Sequence, residues 1–146
     1  MAEEKRSRLI VNVFCLNNAL VKQKNRRMAA YNLTSIQADV LMYVVGHYKT
    51  QEVNQLDIQS VFKLTNPTVS GIVDRLEEKE FIKRVRSERD ARYRSLVPLP
   101  KGEELYEVLR HSAREAEEFF VKDMTPEEAA EFERLLKIAT KTVLEE

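Results

Sequence analysis

The chain has 146 residues, 43% hydrophobic and 33% charged, and its 24 Lys/Arg balance 24 Asp/Glu to a formal net charge of zero. That suffices for the core of one compact domain, with or without helical arms, and excludes a generally sticky polycation. Three Gly and four Pro favour a mostly helical fold, and a single cysteine, Cys15, with no CxxC pair, excludes both an internal disulfide and a zinc ribbon.

In chain order, a first helix is expected from about Arg8 to Ala30, with Ile10, Val13, Phe14, Asn17, Leu20 and Val21 as its stripe. Lys22, Lys24, Arg26 and Arg27 crowd its last turns, where cations complement the helix dipole. The apolar start, Leu9 to Leu16, is broken by Asn12 and preceded by both acidic and basic residues, which suits neither a signal peptide nor a membrane span. A cytoplasmic protein without membrane contact is expected.

Thr34 and Gln37 form a capping-box pattern opening a second helix, whose buried side is Val40, Leu41, Val44, Val45 and Tyr48. A third, short helix starts near Asn54, with Asp57 in its first turn and Ile58, Val61, Phe62 and Leu64 inward. Thr65 then caps a fourth, with Pro67 in the first turn and Val69, Ile72, Val73 and Leu76 on one face. Two short helices joined so tightly read as helix-turn-helix.

Phe81, Ile82 and Val85 lead into a basic segment and Leu96 and Val97 lead out, as two short strands around a charged turn. Lys83, Arg84, Arg86, Arg89, Arg92 and Arg94 outweigh Glu88 and Asp90, so this hairpin carries a net +4. Pro100 opens a fifth helix to about Lys122 with Leu105, Leu109, Ser112, Ala116 and Phe119 aligned. Thr125, Pro126 and Glu128 start the last one, whose stripe is Phe132, Leu135, Leu136, Ala139 and Val143.

Charge is polarised along the chain. Residues 1–27 carry seven Lys/Arg against two Glu, and residues 60–100 carry nine against six. Residues 101–146 carry seven against thirteen, a net −6. Such polarity orients a molecule on a polyanion. The apolar faces of the terminal helices exceed what a small middle domain covers. A homodimer would bury them, with first, fifth and sixth helices interleaving about a two-fold axis.

No Gly-rich phosphate loop or Ser-x-Gly elbow occurs, and only two histidines could serve as bases, so an enzyme is not expected. Neither is a cofactor or a metal. A short helix followed by a cationic hairpin suits two adjacent grooves of double-stranded DNA. The alternative is a winged helix whose basic hairpin docks on an acidic protein.

The segment from Asn54 to Gly102 resembles the winged helix-turn-helix of MarR-type transcriptional regulators. Arg84, then Asp90-Ala91-Arg92, then Gly102 match the wing, and Thr68-Val69-Ser70 with Val73-Asp74-Arg75-Leu76 match the recognition helix. The resemblance implies a mainly α fold with a small β-hairpin wing. Residues 1–31 and 99–146 would form the dimerisation region and residues 32–98 the DNA-binding domain.

It further implies that Thr65, Thr68, Ser70 and Arg75 lie on or near the major-groove helix, with a pseudo-palindromic operator. Arg92 would enter the minor groove, with Asp90 as its ion-pair partner, and Arg84, Arg86, Arg89 and Arg94 would complete the cationic wing. The family regulates as repressor or activator under control of a small ligand or of oxidation; a repressor released by a small-molecule effector is expected here. Its ligand sites lie between dimer region and winged domain, where Phe14, Asn17, Asn18, Tyr43, His47 and His111 are candidates.

Asn17 could equally bond across a dimer or sit at the stripe's edge. Cys15 lies more than a turn closer to helix two than the family's peroxide sensors place theirs, and burial as a small hydrophobe is expected. Lys63 and Glu80 stand where the family often has Gly, so either a left-handed Glu80 bears about 1 kcal/mol of strain or the turn there differs. Leu99 replaces a capping Thr, and Gly71 a larger polar residue.

Overall fold

The computed structural model describes residues 2–146, with side-chain environments from Arg8 onward; Lys5, Arg6 and the rest of the first seven side chains lie outside the described residues. The elements are α1 (Ala2–Ala29), α2 (Ser35–His47), α3 (Gln55–Phe62), α4 (Asn66–Glu78), β1 (Ile82–Arg86), β2 (Arg94–Pro98), α5 (Pro100–Phe120) and α6 (Pro126–Leu144). The fold is mainly helical with one antiparallel hairpin. It divides into two compact units, residues 1–106 and 107–146, with the boundary inside α5.

Local side-chain chemistry sets the helix starts. Thr34 with Gln37, Asn54 with Asp57 and Thr125 with Glu128 each form a reciprocal capping box, and Thr65 caps α4 by accepting from the Thr68 amide. Each supplies a partner to an N–H that the helix leaves orphaned. Lys63 (φ 55) and Glu80 (φ 62) both adopt the left-handed conformation, as does Asn32 (φ 57). The turn geometry that Gly usually serves is kept despite the side chains.

The first unit's core is Val40, Leu41 and Val44 of α2, Val53 of the following linker, Ile58 of α3, the α4 face, and Ile82 and Leu96 of the hairpin. Val45 and Tyr48 are half-buried, and Val61 is exposed rather than inward. At about 100° per residue, Phe62 lies about 40° to one side of Ile58 and Val61 about 60° to the other. The half-buried ring of Phe62 takes the inward direction, leaving Val61 outside. Gly102 sits against the Phe81 backbone, where a Cβ would approach the carbonyl carbon to 2.9 Å and the oxygen closer still.

α1 starts earlier than the apolar stripe suggests. Within this single chain Ile10, Val13, Phe14, Leu20 and Val21 of that stripe are exposed, as is Asn17. Cys15 is exposed too, against the expectation of burial. Among the described residues of the first unit nothing covers this face, and the buried side of α1 is half-buried Leu16 and buried Met28.

In the second unit, α5 ends at Phe120 rather than near Lys122. Phe119 is exposed, while the Phe120 ring meets that of Phe132 at 6.0 Å. α6 has no buried residue; Leu135, Leu136, Ile138, Val143 and Leu144 are all exposed.

Candidate nucleic-acid interface

The exposed half of α4 splits into two strips. Taking its buried residues Val69, Ile72, Val73 and Leu76 as inward, a rotation of about 100° per residue puts Thr68, Gly71 and Arg75 in one strip and Ser70, Asp74 and Glu77 in the other. The first strip is open to solvent, and a Cβ at Gly71 would meet nothing within 4 Å. The second turns toward the hairpin. Ser70 and Glu77 line a cleft of about 770 Å³ shared with Arg84, Arg92, Tyr93 and Arg94 of the wing. The four expected α4 contacts are therefore not equivalent: Thr68 and Arg75 share a strip, Ser70 faces the wing, and Thr65 is the cap, its hydroxyl donating to that of Thr68 at 3.0 Å.

Strand alternation explains the wing. Ile82, Arg84 and Arg86 point to one side of β1, and their partners across the ladder are Pro98, Leu96 and Arg94. This face is apolar beside the core and becomes cationic toward the tip. The Asn54↔Ser95 bridge and the Leu96 amide donating to the Val53 carbonyl (2.7 Å) tie β2 to the α2–α3 linker.

Arg84 is not a surface cation. Its side chain is 13% exposed: Nη2 pairs with Asp74 at 2.7 Å, Nη1 with Glu77 at 3.0 Å, and Nε donates to Gln55 at 2.9 Å. One guanidinium thus joins α3, α4 and β1 and offsets half the charge of the two carboxylates on α4's wing-facing strip. Arg92, at the other extreme, is 82% exposed; it pairs with Asp90 at 2.8 Å and lies over the Tyr93 ring at 5.8 Å. Hydrogen bonds from the Arg92 side chain, then from its amide, hold the Asp90 carboxyl below its usual range, and Asp90 raises Arg92 in turn. Arg86 and Arg94 are exposed, and Arg89 donates to Glu52 at 2.7 Å.

Sequence reasoning missed Gln55, Gln59, Asn66 and Tyr93, which also line the cleft. Gln59 Nε2 donates to Asn66 Oδ1 at 3.1 Å, across the turn between the two helices. An aromatic set between Arg92 and Arg94 was the available signal for Tyr93; the amides carried none until α3 and α4 were packed.

The ligand candidates are scattered. Phe14, Asn17 and Asn18 are exposed on α1. Tyr43 and His47 stack at 4.1 Å on α2, with His47 Nδ1 donating to the Tyr43 carbonyl at 2.8 Å. His111 belongs to the second unit, its Nε2 lying 3.0 Å from Glu115. Among the described residues no group of three His, Cys, Asp or Glu could hold a metal ion, and no helix is long and apolar enough to cross a membrane.

Residues 41–93 match the model of the MarR family. The chain is 24% identical over 102 residues to an uncharacterized HTH-type transcriptional regulator, YybA, of Bacillus subtilis (strain 168), covering 70% of this chain and 68% of that protein. Among solved structures it resembles a MepR–DNA complex from S. aureus (TM-score 0.80, 22% identity, 91% of this chain and 96% of that one). It also resembles the transcription regulator MarR of Oenococcus oeni (TM-score 0.70, 22% identity, 91% and 98%). These likenesses establish the winged-helix fold over nearly the whole chain.

Proposed function

We propose that this chain, which belongs to the MarR family through residues 41–93, is a transcriptional regulator that binds double-stranded DNA as a homodimer. The observation that carries the reading is the pairing of an open α4 strip, Thr68 to Arg75, with a hairpin whose tip presents Arg86, Arg92 and Arg94. α4 enters the major groove, Arg92 the neighbouring minor groove, and the cleft between them straddles a phosphate strand. Thr65 serves as the cap that fixes the start of α4, Arg89 and Asp90 shape the wing, and Arg84 braces it while masking Asp74 and Glu77 from phosphate.

The exposed apolar faces of α1 and α6 support two-fold pairing, with recognition helices about 34 Å apart on a pseudo-palindromic operator. The protein acts in the cytoplasm as a repressor released by a small molecule, with Phe14, Asn17, Asn18, Tyr43, His47 and His111 as candidate ligand contacts. It is not an enzyme and uses no cofactor.

The test is fluorescence anisotropy of the purified protein on a genome-derived duplex pool, across a salt series. Binding should weaken with a log–log slope near −0.9 per phosphate neutralised. Arg92→Ala should bind much more weakly while remaining folded and dimeric by sedimentation. A protein indifferent to DNA at modest ionic strength would overturn the reading; salt-sensitive capture of an acidic protein instead would favour a protein-docking wing.

A further inference from the structure

Glu52 lies in the linker between α2 and α3, far from the wing in sequence, yet the wing closes on it. Ser87 and Ser95 are the buried polar residues among those described. A buried hydroxyl needs a partner. Ser95 Oγ donates to Glu52 Oε1. Arg89 Nε adds a second donor at 2.7 Å.

Ser87 then passes the constraint outward. Its oxygen accepts from the amides of Arg89 (3.2 Å) and Asp90 (3.1 Å). Asp90, fixed through its own backbone, accepts from the Arg92 amide at 3.0 Å, from Nε at 3.1 Å and from Nη2 at 2.8 Å. A continuous relay therefore runs from Glu52 through Arg89, Ser87 and Asp90 to the exposed guanidinium of Arg92.

We infer that Glu52 is a positioning residue for DNA recognition: it orders the wing tip through Arg89 and Ser87 and thereby sets the direction of Arg92. The inference rests on the DNA-binding reading above. The Ser87, Ser95 and Arg89 hydrogen bonds pull the Glu52 carboxyl down to about 2, so the anchor is an anion at neutral pH. Charge counting alone makes the opposite forecast, since removing a carboxylate near the DNA face should strengthen binding to a polyanion.

The experiment compares wild type, Glu52→Gln, Arg92→Ala and the double variant on one duplex selected from a random-sequence pool, with amide hydrogen exchange of the free proteins read by NMR. Glu52→Gln should exchange the Arg89, Asp90 and Arg92 amides about tenfold faster and bind about tenfold more weakly, and its effect should vanish in the Arg92→Ala background. Ser87→Ala, which breaks the relay while keeping the carboxylate, should reproduce both effects should Glu52→Gln fail to fold. Unchanged tip exchange, tighter binding, or an equal loss in the Arg92→Ala background would overturn the inference. Wild-type protein that ignores DNA would remove the functional reading instead, and the exchange rates would still decide whether Glu52 orders the tip.

Discussion

Arg86 and Arg94 are direct partners across the hairpin ladder, so two like charges face each other on the same side of the wing. Directly opposed like charges destabilise a strand pair, by roughly 0.5 kcal/mol. Arg94→Thr should therefore raise the unfolding free energy by about that amount while weakening duplex binding and reducing the salt slope by about one phosphate. Thermal melts and salt-dependent anisotropy on the same preparation check both signs. A variant that is both less stable and equally tight would contradict the view that the pair exists for a polyanion.

Gly102 has no freedom to gain a methyl. Its Cβ would press on the Phe81 carbonyl, in the first turn of α5. Neither partner is a flexible side-chain end; both are backbone. Gly102→Ala should cost about 3 kcal/mol, toward the upper end for overpacking, and lower the melting temperature by about 10 °C. Gly71→Ala, where the added atom meets open space, should be stable or slightly stabilised, since Ala is the better helix former.

Glu80 holds φ 62 at the turn leading from α4 to the wing, and its side chain is exposed. Relief of left-handed strain should outweigh the added freedom of the unfolded chain, so Glu80→Gly should stabilise by about 0.5–1 kcal/mol. Denaturant midpoints with an unchanged slope would measure it.

Acid should loosen the wing by a calculable route. Glu52 has a folded-state value of about 2, below the ordinary carboxylate range near 4.5, so its contribution is complete above the latter. It is lost as pH falls through the folded value, because the unfolded state binds the proton first. Between about pH 4.5 and 2 the slope of stability with pH should be shallower in Glu52→Gln than in wild type. A pH series of urea melts reads the difference.

The elements were legible where a few neighbouring residues decide the outcome. The caps at Thr34, Asn54, Thr65 and Thr125 are encoded within three residues, and so are the helix starts that follow from them. The missing Gly at Glu80 left two outcomes open, a strained left-handed residue or a different turn, and the structure takes the first. Arg84 was not legible as a brace: in a run of cations it looks like its neighbours, and only the fold of the hairpin back onto α4 brings Asp74 and Glu77 to it. The α1 stripe read correctly as apolar, yet its periodicity cannot say whether one chain covers it.

From its order of residues alone, this protein was committed to short capped helices, a cationic hairpin and a charge polarity along the chain. Those depend on contacts within a turn or a strand pair, where hydrogen-bond geometry and side-chain period leave little choice. Tertiary structure decided which cations remain at the surface, which strip of α4 faces the wing, and that Glu52 anchors Arg89 and Ser95. Such pairings join residues from 7 to 43 positions apart, and only the packing of a shared core selects one of them.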